Sequence, residues 1–170
     1  MNNLYILRHA KSSWAQPGLG DMQRPLNKRG TRQVARLEKW LIEHSIRPDR
    51  IVCSPSTRTQ ETYRGIKAAF EDVPLEIVPR LYNGRIEDYL EALWAQDAQK
   101  IMIIGHNPTC DELARYLTKP GSPAEEKLMA HHFGTATMAV FNLELENWQE
   151  IGQASGSLEM MLRPRDLESS

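Results

Sequence analysis

Ile101-Met102-Ile103-Ile104 is an unbroken apolar run in a chain where 25% of the residues are charged. Such a run suits a strand covered on both faces, the situation of a parallel strand held between two layers of helices. Residues 4–7, 50–53, 75–78, 100–104 and 138–143 read as strands. Between them lie helical patterns over residues 31–44, 58–70, 87–95 and 110–117, the first carrying Val34, Leu37, Leu41 and Ile42 at helix spacing. This alternation predicts a single-domain α/β fold, three layers in α/β/α order around a mostly parallel central sheet. Residues 118–123, with Pro120, Gly121 and Pro123, are expected to be a surface loop, and Met160-Met161-Leu162 to be core. The tail after Arg163 is polar, and about its last six residues are expected to be disordered. No repeat, linker or second domain is visible, so one domain over residues 1–170 is expected.

A chain of 170 residues can bury a sizeable core without disulfides. Its formal net charge of -1 provides no global field for nucleic acid or an anionic membrane, so neither is expected as a partner. An anion site must come from a local cluster of cations. The first strand begins too close to residue 1 for a secretory leader, no apolar stretch approaches membrane-spanning length, and Cys53 and Cys110 are the only cysteines. A soluble cytoplasmic protein with reduced thiols is expected; the oligomeric state is not legible.

Three strand ends carry chemistry. Arg8-His9 follows the first strand, where a cation and an imidazole pack poorly but face a crevice well. Ser54-Pro55 follows the second, with Ser54 expected as an N-cap and Pro55 in the first helical turn. That places Arg58 in a first turn, against the helix dipole, where it serves a bound anion or pairs with a carboxylate such as Glu61. Gly105-His106-Asn107-Pro108 follows the fourth, with Asn107 expected as N-cap and His106 just before a helix N-terminus. A fourth segment, Asp21-Met22-Gln23-Arg24-Pro25-Leu26, precedes the first helix. In a doubly wound sheet the strand ends converge, so two guanidiniums and two imidazoles meet at one point. That set describes a phosphate site, since Arg grips phosphoryl oxygens with two-pronged geometry.

With these motifs the chain resembles the histidine phosphatase superfamily, which includes the cofactor-dependent phosphoglycerate mutases. The resemblance runs from Leu4 to about Leu145. Arg8-His9-Ala10-Lys11-Ser12-Ser13-Trp14, Asp21 with Arg24-Pro25-Leu26, Ser54-Pro55 with Arg58 and Thr62, and Gly105-His106-Asn107-Pro108 look like its SixA-type phosphohistidine phosphatase branch. The resemblance implies a phosphoglycerate mutase-like fold, His9 as nucleophile, and Arg8, Arg58 and His106 as the phosphate pocket. Lys11, Asp21 and Arg24 are candidate substrate-binding residues. It implies no metal or other cofactor. The substrate class it implies is a phosphorylated protein, a histidine-containing phosphotransfer domain. In the implied mechanism neutral His9 attacks phosphorus while His106, best protonated, donates to the phosphoryl oxygens.

The chain departs from relatives acting on sugar phosphates, which usually have Gly-Glu after the Arg-His pair and an Asn further on; Ala10, Lys11 and Ala15 stand there. Phosphomonoesterases of the family also carry an acidic residue after the third strand, where this chain reads Leu81-Tyr82-Asn83-Gly84. Glu87 and Asp88 follow inside a helical pattern. An alcohol leaving group, with a conjugate pKa near ~15.7, needs that acid. An imidazole, at about 6.5, can take its proton from solvent or Asp21. The other role open to Asp21 is structural pairing with Arg24. The alternatives are a small-molecule phosphomonoesterase and a non-catalytic phosphate-binding module.

Two patterns are weaker. Cys53 and Arg58 have four residues between them, one fewer than the cysteine phosphatases need, and Cys53 ends a strand, so packing is expected. Adjacent His131 and His132 face opposite ways on any strand and lack a third ligand, so no metal is expected there. Trp40 is expected to pack.

Overall fold

Strands β1 (Asn2–Arg8), β2 (Arg50–Cys53), β3 (Leu75–Ile77), β4 (Lys100–Gly105), β5 (Met138–Leu143) and β6 (Gly156–Leu162) form one sheet in the order β3-β2-β4-β1-β5-β6. The computed structural model describes residues 1–168. Strands β1 to β4 run parallel, and β5 and β6 extend the sheet antiparallel. The helices are α1 (Lys28–Glu43), α2 (Thr57–Ile66), α3 (Ile86–Trp94), α4 (Thr109–Leu117), α5 (Pro123–Ala130) and α6 (Pro164–Leu167). No helix among the described residues is long and apolar enough to cross a membrane.

The continuous apolar strands follow from this layering. Successive side chains leave a strand on opposite faces, and here both faces are covered. Leu4, Ile6, Val52, Ile101, Ile103, Ala139 and Phe141 pack toward α3 and α4 with Trp148. Tyr5, Leu7, Ile51, Cys53, Met102, Ile104, Met138 and Val140 pack toward α1, α2 and α6. Each such buried aliphatic contributes about 1.5–3 kcal/mol relative to exposure. The expected three-layer α/β/α fold is the observed one.

Two stretches differ from expectation. The proposed loop 118–123 ends at Ser122, whose hydroxyl accepts from the Glu125 amide and starts α5 on Pro123. The polar tail contains α6, whose Leu167 is buried against the α1 side of the core; Ser169 and Ser170 lie outside the described residues. Met161 and Leu162 are core as expected, with Met160 half-buried against it, and the three form the end of β6.

Strand order decides where the site forms. The chain leaves β1, places β2 two positions away, turns outward to β3, and returns to insert β4 between β2 and β1. Arg8 therefore sits opposite Gly105, and Cys53 opposite Ile104, so the carboxyl ends of β1, β4 and β2 are neighbours. This is a topological switch point, where open α/β sheets form their crevice.

Candidate active site

A cleft of about 530 Å³ opens at those strand ends, with Arg8, His9, Lys11, Arg24, Arg58 and His106 in its wall. His9 is the buried centre, 7% exposed. Its Nδ1 lies 2.7 Å from the carbonyl oxygen of Ala10. A carbonyl only accepts, so Nδ1 carries the proton and the neutral ring keeps its lone pair on Nε2. Burial pushes the His9 pKa down to about 3; the Ala10 hydrogen bond opposes this, while His106, Arg58 and Arg8 add to it. The ring is therefore neutral across the physiological range.

Thr62 fixes His9 relative to Arg58. Its hydroxyl accepts from the Ala10 amide at 3.0 Å and donates to the Arg58 carbonyl at 2.7 Å, tying the tip of β1 to α2. Arg8 donates to the Phe133 carbonyl at 3.2 Å, and Asn107 Nδ2 donates to the same oxygen at 2.7 Å. The buried Nε atoms of Arg8 and Arg58 have no hydrogen-bond partner among the described residues. An unpaired buried donor costs about 1–3 kcal/mol, and a phosphoryl oxygen would satisfy it.

His106 lies across the cleft, its ring centroid 5.4 Å from that of His9. Its Nε2 is 2.7 Å from Ser54 Oγ, and its amide donates to Tyr89 Oη at 2.9 Å. Tyr89 approaches so closely that a Cβ on Gly105 would lie 2.3 Å from its hydroxyl oxygen, which is why glycine ends β4. Burial and then the Arg58 charge lower the His106 pKa to about 4, with Asp21 opposing. Protonated His106, the donor expected from the sequence, therefore needs the negative charge of a phosphoryl group beside it, which raises the pKa of an imidazole.

The capping expectations shift by a residue or two. Ser56, in extended conformation, caps α2 by accepting from the Thr59 amide, leaving the Ser54 hydroxyl for His106. Helix α4 begins at Thr109 after Pro108, and Asn107 reaches it through Oδ1, which accepts from the Asp111 amide. Arg58 stays in the first turn of α2, and its carboxylate partner is Asp21 rather than Glu61. Glu61 instead accepts from the Leu26 amide.

Asp21 is a structural hub. Its carboxylate accepts from Arg58 Nη2 and from Arg24 Nε, both at 3.1 Å, and from the Tyr82 hydroxyl at 2.6 Å. The Tyr82 hydrogen bond, with both arginines, lowers its pKa to about 2. An acid held that low is a poor proton donor at neutral pH, which favours solvent over Asp21 as the proton source and the pairing role for Asp21. Arg24 is buried and largely committed, donating to Asp21, to Ser12 Oγ and to the Ser13 carbonyl beneath the Trp14 ring. Lys11 lines the cleft, and its amide donates to Gln33 Oε1.

Sequence reasoning missed Ser54 as the His106 partner, Tyr82 as the Asp21 partner, Tyr89 and the Phe133 carbonyl. It also missed Glu112, an exposed carboxylate in the cleft wall on α4. Glu112 lies one helical turn after Pro108, and that position alone signalled it. Cys53 is fully buried and its thiol is pushed up to about 12, so it packs rather than reacts. No cluster of three or more His, Cys, Asp or Glu able to hold a metal occurs among the described residues, and His131 Nδ1 lies 2.9 Å from Arg163 Nη1. Trp40 stacks on His44, away from the cleft.

A neutral imidazole with a free Nε2, two guanidiniums and a second imidazole can accept a tetrahedral phosphoryl group: one atom to attack it and several donors for its oxygens. Comparison with known proteins agrees. The model of the histidine phosphatase superfamily (branch 1) matches residues 4–83, which hold Arg8, His9 and Arg58. An uncharacterised chloroplast protein of Arabidopsis thaliana is 30% identical over 90% of this chain and 72% of its own. The phosphohistidine phosphatase SixA of Escherichia coli is 26% identical over 86% of this chain and 91% of its own. A solved structure from Agrobacterium tumefaciens, assigned to the SixA phosphohistidine phosphatases, superposes with a TM-score of 0.81 at 29% identity, covering 96% of this chain and 98% of that one.

Proposed function

This chain belongs to the histidine phosphatase superfamily as a SixA-type phosphatase, and on that premise we propose that it hydrolyses phosphohistidine carried on a protein of the cytoplasm, a histidine-containing phosphotransfer domain. His9 Nε2 attacks phosphorus and the P–N bond to the substrate ring breaks. Arg8, Arg58 and His106 hold the phosphoryl oxygens as charge redistributes, and Lys11 adds positive charge at the cleft wall. Asp21 and Arg24 position Arg58 and the segment after His9. The substrate ring leaves as neutral imidazole once it has taken a proton from solvent, which an imidazole, with an ordinary pKa of about 6.5, does readily near neutral pH.

The Ala10 carbonyl has a part in the second step. It keeps Nδ1 protonated, so phospho-His9 is a cationic ring and a good leaving group. Water attacks its phosphorus, the P–Nε2 bond breaks, His9 returns neutral with its Nδ1 proton, and the water's proton leaves with phosphate or to solvent.

The observation that carries the substrate reading is the state of the acids. Asp21 is locked as an ionised partner of two arginines, and no carboxylate stands among Leu81, Tyr82, Asn83 and Gly84. Cleavage of P–N needs no strong acid, whereas cleavage of an alkyl P–O bond does. Glu112 favours a second reading, a small-molecule phosphomonoesterase, because it is exposed in the cleft wall where a leaving alcohol could reach it.

The test mixes the protein with a phosphotransfer domain phosphorylated on histidine and, separately, with an alkyl phosphate, with His9→Ala as control. Fast His9-dependent release from phosphohistidine and slow release from the ester supports the proposal. Equal or faster ester turnover, lost on Glu112→Gln, overturns it in favour of the second reading.

A further inference from the structure

A second groove, of about 610 Å³, lies beside the active cleft, and five arginines line it: Arg29, Arg32, Arg36, Arg163 and Arg165. Glu168 is the lining carboxylate set against them. In a chain of net charge -1 this is a local concentration of cations. Arg29, Arg32 and Arg36 share one face of α1 at helical spacing. Arg36 lies 3.7 Å from Glu168, and Arg163 pairs with Asp166 at 3.1 Å. Arg29, Arg32 and Arg165 are exposed and have no carboxylate within salt-bridge distance among the described residues.

Helix energetics do not account for this arrangement. Lys28 and Arg29 open α1 with no acidic residue in its first turn, the reverse of what the helix dipole favours. The groove is also continuous with the cleft. Thr135 lines both, and Gln33, in the groove wall, bonds to the Lys11 amide and to Thr135.

We propose that this groove docks an acidic surface of the phosphoprotein substrate, so that carboxylates flanking the phosphohistidine pair with Arg29, Arg32 and Arg165 while the phosphoryl group enters the cleft. The inference rests on the phosphoprotein reading and adds which face of the substrate is recognised. Exposed charges of this kind steer encounter and set register. A protein fits better than a membrane or nucleic acid because the groove is concave and shares a wall with the catalytic cleft.

The experiment compares wild type with the triple variant Arg29→Ala, Arg32→Ala, Arg165→Ala. The probes are a histidine-phosphorylated phosphotransfer domain bearing Asp and Glu beside the phosphohistidine, and phosphoramidate, a P–N substrate too small to reach the groove. Three exposed pairs predict a fall of about tenfold in kcat/KM on the protein, carried by KM, with a flatter salt dependence. Phosphoramidate turnover stays unchanged. An unaltered kcat/KM on the protein overturns the docking surface alone, and so does an equal loss on both substrates. Equal competition by a single-stranded oligonucleotide of matched charge overturns its assignment to a protein. Wild type that cleaves phosphoramidate but not the phosphoprotein overturns the substrate reading, and the docking surface with it.

Discussion

Thr62→Val is the sharpest test of how the fold aims His9. Thr62 is completely buried, and its hydroxyl is the hydrogen-bond acceptor for the Ala10 amide while it donates to the Arg58 carbonyl. Valine has nearly the same shape, so no cavity opens. The Arg58 carbonyl lies inside α2 and keeps the helix ladder as its main partner. The Ala10 amide is left buried without an acceptor, a loss of about 1–3 kcal/mol. For a chain of this size that lowers Tm by roughly 2–12 °C. The same amide adjoins the carbonyl that fixes the His9 tautomer, and a nucleophile misplaced by about 1 Å can lose on the order of a hundredfold in rate. The expected result is therefore a coupled loss: a lower melting temperature, and a fall in kcat larger than any change in KM. Thr62→Ser keeps the hydroxyl and is expected to recover most of kcat. Calorimetry and steady-state kinetics on the three proteins decide it. Thr62→Val with wild-type stability and kcat would refute the reasoning, and Thr62→Ser as impaired as Thr62→Val would show that volume, not the hydrogen bond, is at work.

Four further outcomes are expected. Burial lowers His9 to about 3 and His106 to about 4; only His9 must be neutral to attack, so the acid limb of kcat/KM falls well below pH 6.5, and a limb centred at pH 6.5 would contradict the burial of its ring. Because their folded pKa values are depressed, the unfolded chain takes up protons first as pH falls from 6.5, and each ring removes about 1.4 kcal/mol of stability per pH unit until its folded pKa is reached, a slope that urea midpoints at several pH values will show flattened in His9→Gln. Asp21→Asn releases Arg58 and Arg24 at a half-exposed site, so stability falls by less than about 1 kcal/mol while turnover of phosphoramidate and of an alkyl phosphate fall together; selective loss on the ester would mark Asp21 as an acid after all. Gly105→Ala drives a methyl into the Tyr89 ring and hydroxyl, lowering stability by about 1–3 kcal/mol in thermal melts, and an unchanged Tm would contradict the close approach of Tyr89.

The sheet and the cation cluster were legible in the sequence because both rest on local signals. Period and composition marked the strands, and a cation or imidazole just beyond a strand can do little else than face the crevice. Partners contributed by distant segments were not legible. Tyr82 reaches Asp21 across 61 positions and Ser54 reaches His106 across 52, and neither carries a local pattern of its own. Strand β6 was passed over although Leu158, Met160 and Leu162 alternate with Ser157, Glu159 and Met161, because one side of that strand is half exposed and its apolar run is short. The capping sites moved because Ser54 and Ser56 are equally good caps on paper, and only the fold assigns one hydroxyl to a helix and the other to an imidazole.

The placement of β4 between β2 and β1 also governs how the molecule comes into being. Leu4 pairs with Ile101 on one side and with Phe141 on the other. During synthesis the first strand emerges almost a hundred residues before either neighbour exists, and both of its edges stay open until then. Its contacts are nearly all distant in sequence, the kind that make folding slow. The cleft therefore needs the late strand, since β4 fills the gap and brings His106 to His9. An incomplete chain ending before β4 would hold His9 and both guanidiniums yet have no cleft around them.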